Sequence, residues 1–339
     1  MKKTINFLAL TFKIIVFSTC ASDNSPENDN QVAIYWLKDK TITWSKFQDI
    51  KNKDSLEVEK FIPSEMIDAY DFSSHVIYLN NPFPSPIYHY SAPVFVMMAG
   101  SQKCYYFTNQ NDLFSSDFCR IGHMFPYESN IALLKFWEQY YKDIRDDERV
   151  KRSLMETGKY RSGIDVVFDD IKSVFINDSM YLELKVTITN LDSKSIYIMD
   201  PSDAWRGYTY SGYSSIQFWK METFKNELVY ISMEKDIKNE HNIFHLQETF
   251  KPEDLLFLRG GESVSRTFLV SKADKQYDHN VQEGNMRCAF CYTGPLEVTQ
   301  QQISLPGGRV WVGTKYSNVM DVTVSKTGLV INNKNVVPE

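Results

Sequence analysis

Residues 180–199 read MYLELKVTITNLDSKSIYIM. Met180, Leu182, Leu184, Val186 and Ile188 alternate with Tyr181, Glu183, Lys185, Thr187 and Thr189. A period of two predicts a strand with one face in a core and the other in water. The turn cluster Asn190-Leu191-Asp192-Ser193-Lys194 ends it, and Ser195–Met199 predicts the next strand. Working outward, Leu255–Leu258 and Val264–Val270 flank Arg259-Gly260-Gly261-Glu262. That spacing predicts a hairpin whose glycines supply positive φ. Cys288–Tyr292 predicts another strand, and Met320, Val322 and Val324 a last one. Asp169-Asp170 reads as a solvated turn. Short strands separated by turn signals predict a β-sandwich over residues 161–326, with a tail at 327–339.

Residues 32–160 carry a different pattern. Tyr35–Trp44, His75–Leu79, Pro93–Met98 and Cys104–Phe107 predict strands. Asp146-Asp147-Glu148-Arg149 opens a helix with an acidic first turn, Val150 and Leu154 give it one apolar face, and Gly158 stops it. Ile131–Ile144 fits either a helix or a strand. This half therefore reads as a smaller α+β domain, and the boundary falls near Lys159–Gly163, so that a cut there is expected to release a C-terminal piece that folds alone.

The pieces VTITNLDSKSI, LRGGESVSRTFLV and SNVMDVTVS resemble the strand–turn signatures of immunoglobulin-like modules in secreted bacterial proteins. The resemblance implies a mainly β protein with an immunoglobulin-like β-sandwich as its C-terminal domain. It implies a fold and no particular activity.

The N-terminus reads as an address. Met1-Lys2-Lys3, a mostly apolar stretch from Ile5 to Phe17 and then Ser18-Thr19-Cys20 follow the order of a secretory signal. The cysteine after two small residues resembles the lipobox of bacterial lipoproteins. That resemblance implies cleavage after residue 19, lipidation of Cys20 and anchoring in the cell envelope, at the outer membrane on its periplasmic or surface face. Residues 20–31 then form an acidic tether, with no Lys, Arg or large apolar residue to order it. No other apolar run reaches the roughly 18–20 residues of a membrane span.

Charge and composition narrow the function. The 339-residue chain carries a net charge of −6, and losing residues 1–19 removes three Lys and no acid. There is no basic field for nucleic acid. No nucleophile elbow, phosphate loop or dinucleotide fingerprint is present, and no cofactor is implied. Asp71, Ser73 and His75 contain the residue types of a nucleophilic triad, but on one strand they line up rather than converge. His241 and His245 have i, i+4 spacing, yet Asn242 stands where the zinc-protease motif has its general base. They are weak candidates, and no metal site is assigned.

After Cys20, four cysteines remain. Cys104 and Cys119 can close a loop of about 15 residues, worth about 3 kcal/mol if unstrained. Cys288 and Cys291 face opposite sides of a strand and read as structural thiols.

The aromatic excess, 14% of the chain, has one concentrated expression. Residues 205–215, WRGYTYSGYSS, place Trp205, Tyr208, Tyr210 and Tyr213 among small residues. Rigid amphipathic rings in a loop suit recognition of a protein or glycan partner; the alternative is an aromatic hairpin covering its own sheet edge or the domain junction. The reading favours a non-enzymatic binding or adaptor lipoprotein. The alternatives are a hydrolase using the N-terminal domain, with His75 or His89, and a protease inhibitor built on the sandwich.

Overall fold

A computed structural model of the chain describes residues 31–39, 42, 44–50, 55–81, 94–108, 121–124, 131–136, 143–202, 215–224, 227–232, 255–271, 283–295, 304–325 and 328–331. The protein is mainly β, with several sheets. Among the described residues, nine strands build the first sheet. They are β1 (Val32–Leu37), β2 (Val58–Ile62), β3 (Ile67–Asp71), β4 (Val76–Leu79), β5 (Val94–Ala99), β6 (Gln102–Thr108), β7 (Ile121–Met124), β8 (Ile131–Phe136) and β9 (Tyr160–Arg161). Their order is β2-β1-β5-β6-β7-β8-β4-β3-β9, antiparallel except at β6–β7 and β3–β9.

The centre of this sheet is buried on both sides, which is why β5 is a continuous apolar run. Phe95, Met97 and Ala99 enter one cluster with Ile34, Tyr105 and Phe107. Val94, Val96 and Met98 enter another with Leu37, Phe47 and Tyr106. Helix α1 (Trp44–Asp49) contributes Phe47 to the second cluster. Trp44 therefore begins a helix rather than ending the strand expected over Tyr35–Trp44. Lys38-Asp39-Lys40 interrupt the alternation, and β1 stops at Leu37. Helix α2 (Glu148–Glu156) buries Val150 and Leu154 in the first cluster. Its N-cap is Asp147, whose carboxylate accepts the Arg149 N–H at 2.9 Å. Gly158, at φ +71°, follows its end. The ambiguous stretch after Ile131 begins as a strand, β8.

Among the described residues, the second half supplies twelve strands. They are β10 (Ile164–Ile176), β11 (Ser179–Asn190), β12 (Ile196–Met199), β13 (Ser215–Phe224), β14 (Glu227–Ser232), β15 (Leu255–Leu258), β16 (Ser263–Ser271), β17 (Gly284–Thr293), β18 (Ser304–Leu305), β19 (Gly308–Val310), β20 (Thr314–Ser325) and β21 (Gly328–Ile331). They form sheets ordered β10-β11-β16, β15-β12-β19-β18 and β14-β13-β17-β20-β21. Leu182, Leu184, Val186 and Ile188 of β11 are buried, as their alternation demands. They join Phe168, Phe290, Trp311 and Val322 in one core drawn from all three sheets.

Two local expectations change. Asp169-Asp170 is no turn. It lies within β10 at a register shift between Phe168 and Asp170, and the Thr187 hydroxyl donates to Asp169 at 2.6 Å. The extra residue moves the buried set from Ile164, Val166 and Phe168 to Ile171. The reversal instead falls at Asn177-Asp178, both at positive φ. Arg259–Glu262 is a turn, but no hairpin: β15 pairs with β12, whereas β16 pairs with β11. The chain changes sheets there. Gly261 N–H donates to Asn190 O and Asn190 N–H to Glu262 O, so the corner is tied to the end of β11.

The two halves also share side chains. In β4, Ile77 and Leu79 face the first-half core, while Val76 and Tyr78 enter the second-half core together with Ala69 of β3. A strand alternates its side chains, so β4 serves both cores at once.

Candidate functional site

Two polar centres flank β4, and both begin at its N-terminal turn. Residues 72–75 form that turn, so Asp71, Ser73 and His75 do not lie along one strand. Asp71 Oδ1 accepts Ser73 N–H at 2.9 Å, Ser73 Oγ–H at 2.6 Å and Ser74 N–H at 3.2 Å. This is the turn that a short carboxylate makes with its own backbone. His75 follows at φ +53° and projects to another site. The sequence expectation that the three residues line up is thus replaced: Asp71 and Ser73 converge, and His75 leaves.

The first centre joins the two halves. Ser73 Oγ donates to Asp71 and accepts from Ile164 N–H and Trp311 Nε1–H, each at 3.0 Å. Its proton and both lone pairs are committed. Arg309 donates to Asp71 Oδ2 at 2.5 Å, to Asp192 Oδ2 at 2.7 Å and to the Tyr78 hydroxyl at 2.9 Å. Its guanidinium also lies over the Tyr78 ring. Asp192 Oδ1 accepts Gly163 N–H at 3.1 Å. Burial opposes the charge on Arg309, but Tyr78, Asp71 and Asp192 outweigh it and hold its pKa above the ordinary value. Burial raises the pKa of Tyr78. Asp71, Ser73, Arg309 and Asp192 are each satisfied by the others, the condition under which buried charge is tolerated; among the described residues the Ser74 hydroxyl of the same turn is buried without a partner. The arrangement locks surfaces together.

The second centre gathers His75, Asp143, Arg145 and Asp146. His75 is 4% exposed. Its Nδ1 is 3.0 Å from the Tyr70 hydroxyl, which is 3.1 Å from the Tyr105 hydroxyl. Its Nε2 faces Asp146 Oδ1 at 3.4 Å and Asp143 Oδ2 at 3.9 Å. Arg145 donates through Nε to Asp143 Oδ1 at 2.9 Å, through Nη2 to Oδ2 at 2.5 Å and through Nη1 to Leu134 O. Burial lowers the His75 pKa, Arg145 lowers it further, and the two carboxylates only partly offset this, so the ring is held neutral. Burial works against charge on Asp143, yet the hydrogen bonds and charge of Arg145 prevail and keep its pKa below the carboxylate range. Burial raises the pKa of Tyr70 and of Tyr105, so both are protonated hydroxyls. One imidazole nitrogen and two carboxylate oxygens, all within 4.8 Å of one another, are a donor set that suits a metal ion.

The sequence singled out His75 alone from this second centre. Asp143 and Asp146 lie about seventy positions away, and the N-terminal acid of α2 had an evident capping role that masked them. Arg309 was missed altogether. The one available signal was a lone cation in GGRVWV, at 307–312, where a buried strand expects none. Cys20, His89, Cys119, Trp205, Tyr208, Tyr210, Tyr213, His241 and His245 lie outside the described residues. The ends of the aromatic segment are described: β12 in the four-stranded sheet precedes it and β13 in the five-stranded sheet follows. Cys104 and Cys288 are free, buried thiols. Burial pushes the Cys104 pKa up to about 12 and raises that of Cys288 as well. Among the described residues no helix is long and apolar enough to cross a membrane. Comparison with protein families, curated proteins and solved structures gives no match.

Proposed function

We propose that this chain is a bacterial envelope lipoprotein, held at the outer membrane by a lipid on Cys20, with a non-enzymatic binding or adaptor role. The observation that carries the proposal is the order of its first segments. A basic start, an apolar run, Cys20 and an acidic stretch to residue 31 lead directly into β1 at Val32. Nothing in residues 20–31 has the composition to pack, so the lipid and the body would be joined by a tether.

For the body, we infer an immunoglobulin-like sandwich from β10–β21 and an α+β unit from residues 32–160, joined across the Arg309 centre. The common core of the three second-half sheets supports the sandwich. A locked junction supports a scaffold that presents loops, and the segment holding Trp205, Tyr208, Tyr210 and Tyr213 crosses between two sheets, where loops carry recognition. A protein or glycan partner would meet those rings. The commitment of Ser73 to three hydrogen bonds supports a structural role for that serine over a nucleophilic one.

The test is fractionation of bacteria expressing the wild type and Cys20→Ser, with crosslinking in intact cells. The wild type is expected in the membrane fraction after a high-salt wash, and Cys20→Ser in the soluble fraction. A specific crosslinked partner should be lost when Tyr208 and Tyr210 become Ala. A Cys20→Ser protein that stays on membranes refutes the anchor. An unchanged crosslink pattern refutes the aromatic loop.

A further inference from the structure

We propose that His75, Asp143 and Asp146 bind one divalent first-row transition ion, such as Zn²⁺ or Mn²⁺, between the β3–β4 turn and the N-terminus of α2. The site is independent of the lipid-anchor reading.

The distances carry the argument. A hydrogen bond from an imidazole N–H to a carboxylate is about 2.7–2.9 Å long. The Nε2 contacts, at 3.4 and 3.9 Å, are both longer. Two ligand atoms on one tetrahedral ion with bonds of about 2.0–2.2 Å stand about 3.4 Å apart. Nε2 and Asp146 Oδ1 already have that separation, and Asp143 Oδ2 needs only a small closure.

The surroundings are those of a ligand histidine. Nδ1 is held by Tyr70, and Tyr70 by Tyr105. If the Nδ1 proton points to Tyr70 and the Tyr70 proton to Tyr105, the Nε2 lone pair faces the two carboxylates. Fixing the far nitrogen in this way orients metal-bound imidazoles generally. Arg145 reaches Asp143 Oδ2 through Nη2 at 2.5 Å and, less closely, through Nε at 3.1 Å; an ion on that oxygen would take the place of the longer contact, while Nε keeps its bond to Oδ1 at 2.9 Å. It also cancels one of the two acidic charges, so the site is moderate in strength. Asp146 is the solvent-facing member of the set, its side chain 57% exposed against 5% for His75. Water completes the coordination. The ion would clamp two segments that are distant in sequence.

The full chain, solubilised in detergent and stripped with chelator, is titrated with ZnCl₂ or MnCl₂ against a chromophoric competitor. The expected result is one saturable equivalent per chain. Asp146→Asn is the primary variant, because its exposed position leaves the apo fold intact. It should weaken binding by at least about tenfold, the lower end of what even outer-shell changes cost, with the apo thermal midpoint unchanged. His75→Gln should abolish the equivalent; should that variant not fold, Asp146→Asn decides alone. Absence of a saturable equivalent overturns the proposal. So does an equivalent that survives Asp146→Asn, which would place the ion elsewhere, as at His241 and His245.

Discussion

Gly163→Ala should damage this protein far more than Gly261→Ala, although the two glycines share nearly the same backbone, φ +72° and +77°. An alanine Cβ at Gly261 meets nothing within 4 Å. Its cost is the left-handed conformation alone, about 1 kcal/mol. At Gly163 the new Cβ would stand 2.0 Å from Ser73 Oγ and 2.2 Å from Asp71 Oδ1. Neither atom can retreat freely. Ser73 holds the Ile164 amide and the Trp311 indole, and Asp71 holds Arg309. Opening at least two of these buried hydrogen bonds adds about 1–3 kcal/mol each, for a total of about 3–7 kcal/mol. At roughly 2 °C per kcal/mol in a chain of this size, the thermal midpoint should fall by roughly 6–14 °C for Gly163→Ala and by roughly 2 °C for Gly261→Ala. Differential scanning calorimetry at a common scan rate reads both. Equal falls in the two variants would refute the claim that the two halves are locked at this point.

Three further outcomes follow from the same chemistry. Arg309→Met should cost about 3–5 kcal/mol in urea denaturation, because it leaves the Asp71 and Asp192 carboxylates buried without their cation; a loss below about 1 kcal/mol would count against a buried charge lock. His75 is held neutral in the fold, so below the ordinary value of 6.5 the unfolded chain takes up a proton that the native state resists, and stability should fall from pH 7 toward pH 5. The contribution of Asp143 has the same sign in a lower window: it is complete above the ordinary carboxylate value of 3.8 and is lost as pH drops through the lower folded pKa. His75→Gln should flatten the first slope and leave the second, and an unaltered pH 5–7 slope would remove His75 as its source. Cys104 and Cys288 should resist an aromatic disulfide reagent at pH 8 until denaturant is added, since both thiols are buried with raised pKa; peptide mapping that finds either labelled in the native protein would contradict that burial.

Local patterns in the sequence were readable where one residue's neighbours decide its place. The alternation in 180–189 leads straight to β11, and Asp147 with Gly158 brackets α2. Long-range pairing was not readable. The glycines at 260 and 261 signal a turn, but only the partners of β15 and β16 decide between a hairpin and a change of sheet. Asp169 looks like turn chemistry because a bulge exposes a polar residue in the same way. The triad-like spacing of Asp71, Ser73 and His75 implies a straight strand, whereas the turn at residues 72–75 sends His75 to carboxylates that arrive from the segment before α2. Arg309 and Asp192 meet Asp71, at the end of β3, only because the pairing of β19 with β12 and the junction of the two halves bring them there. No spacing rule reaches across such separations.

The proposed role rests on Cys20, and mass spectrometry of the mature N-terminal peptide from the bacterial membrane fraction tests it most directly. Residues 1–19 should be absent and the peptide should begin at Cys20, carrying a mass added by acyl lipid. A peptide that retains residues 1–19, or one in which Cys20 is unmodified, would contradict it.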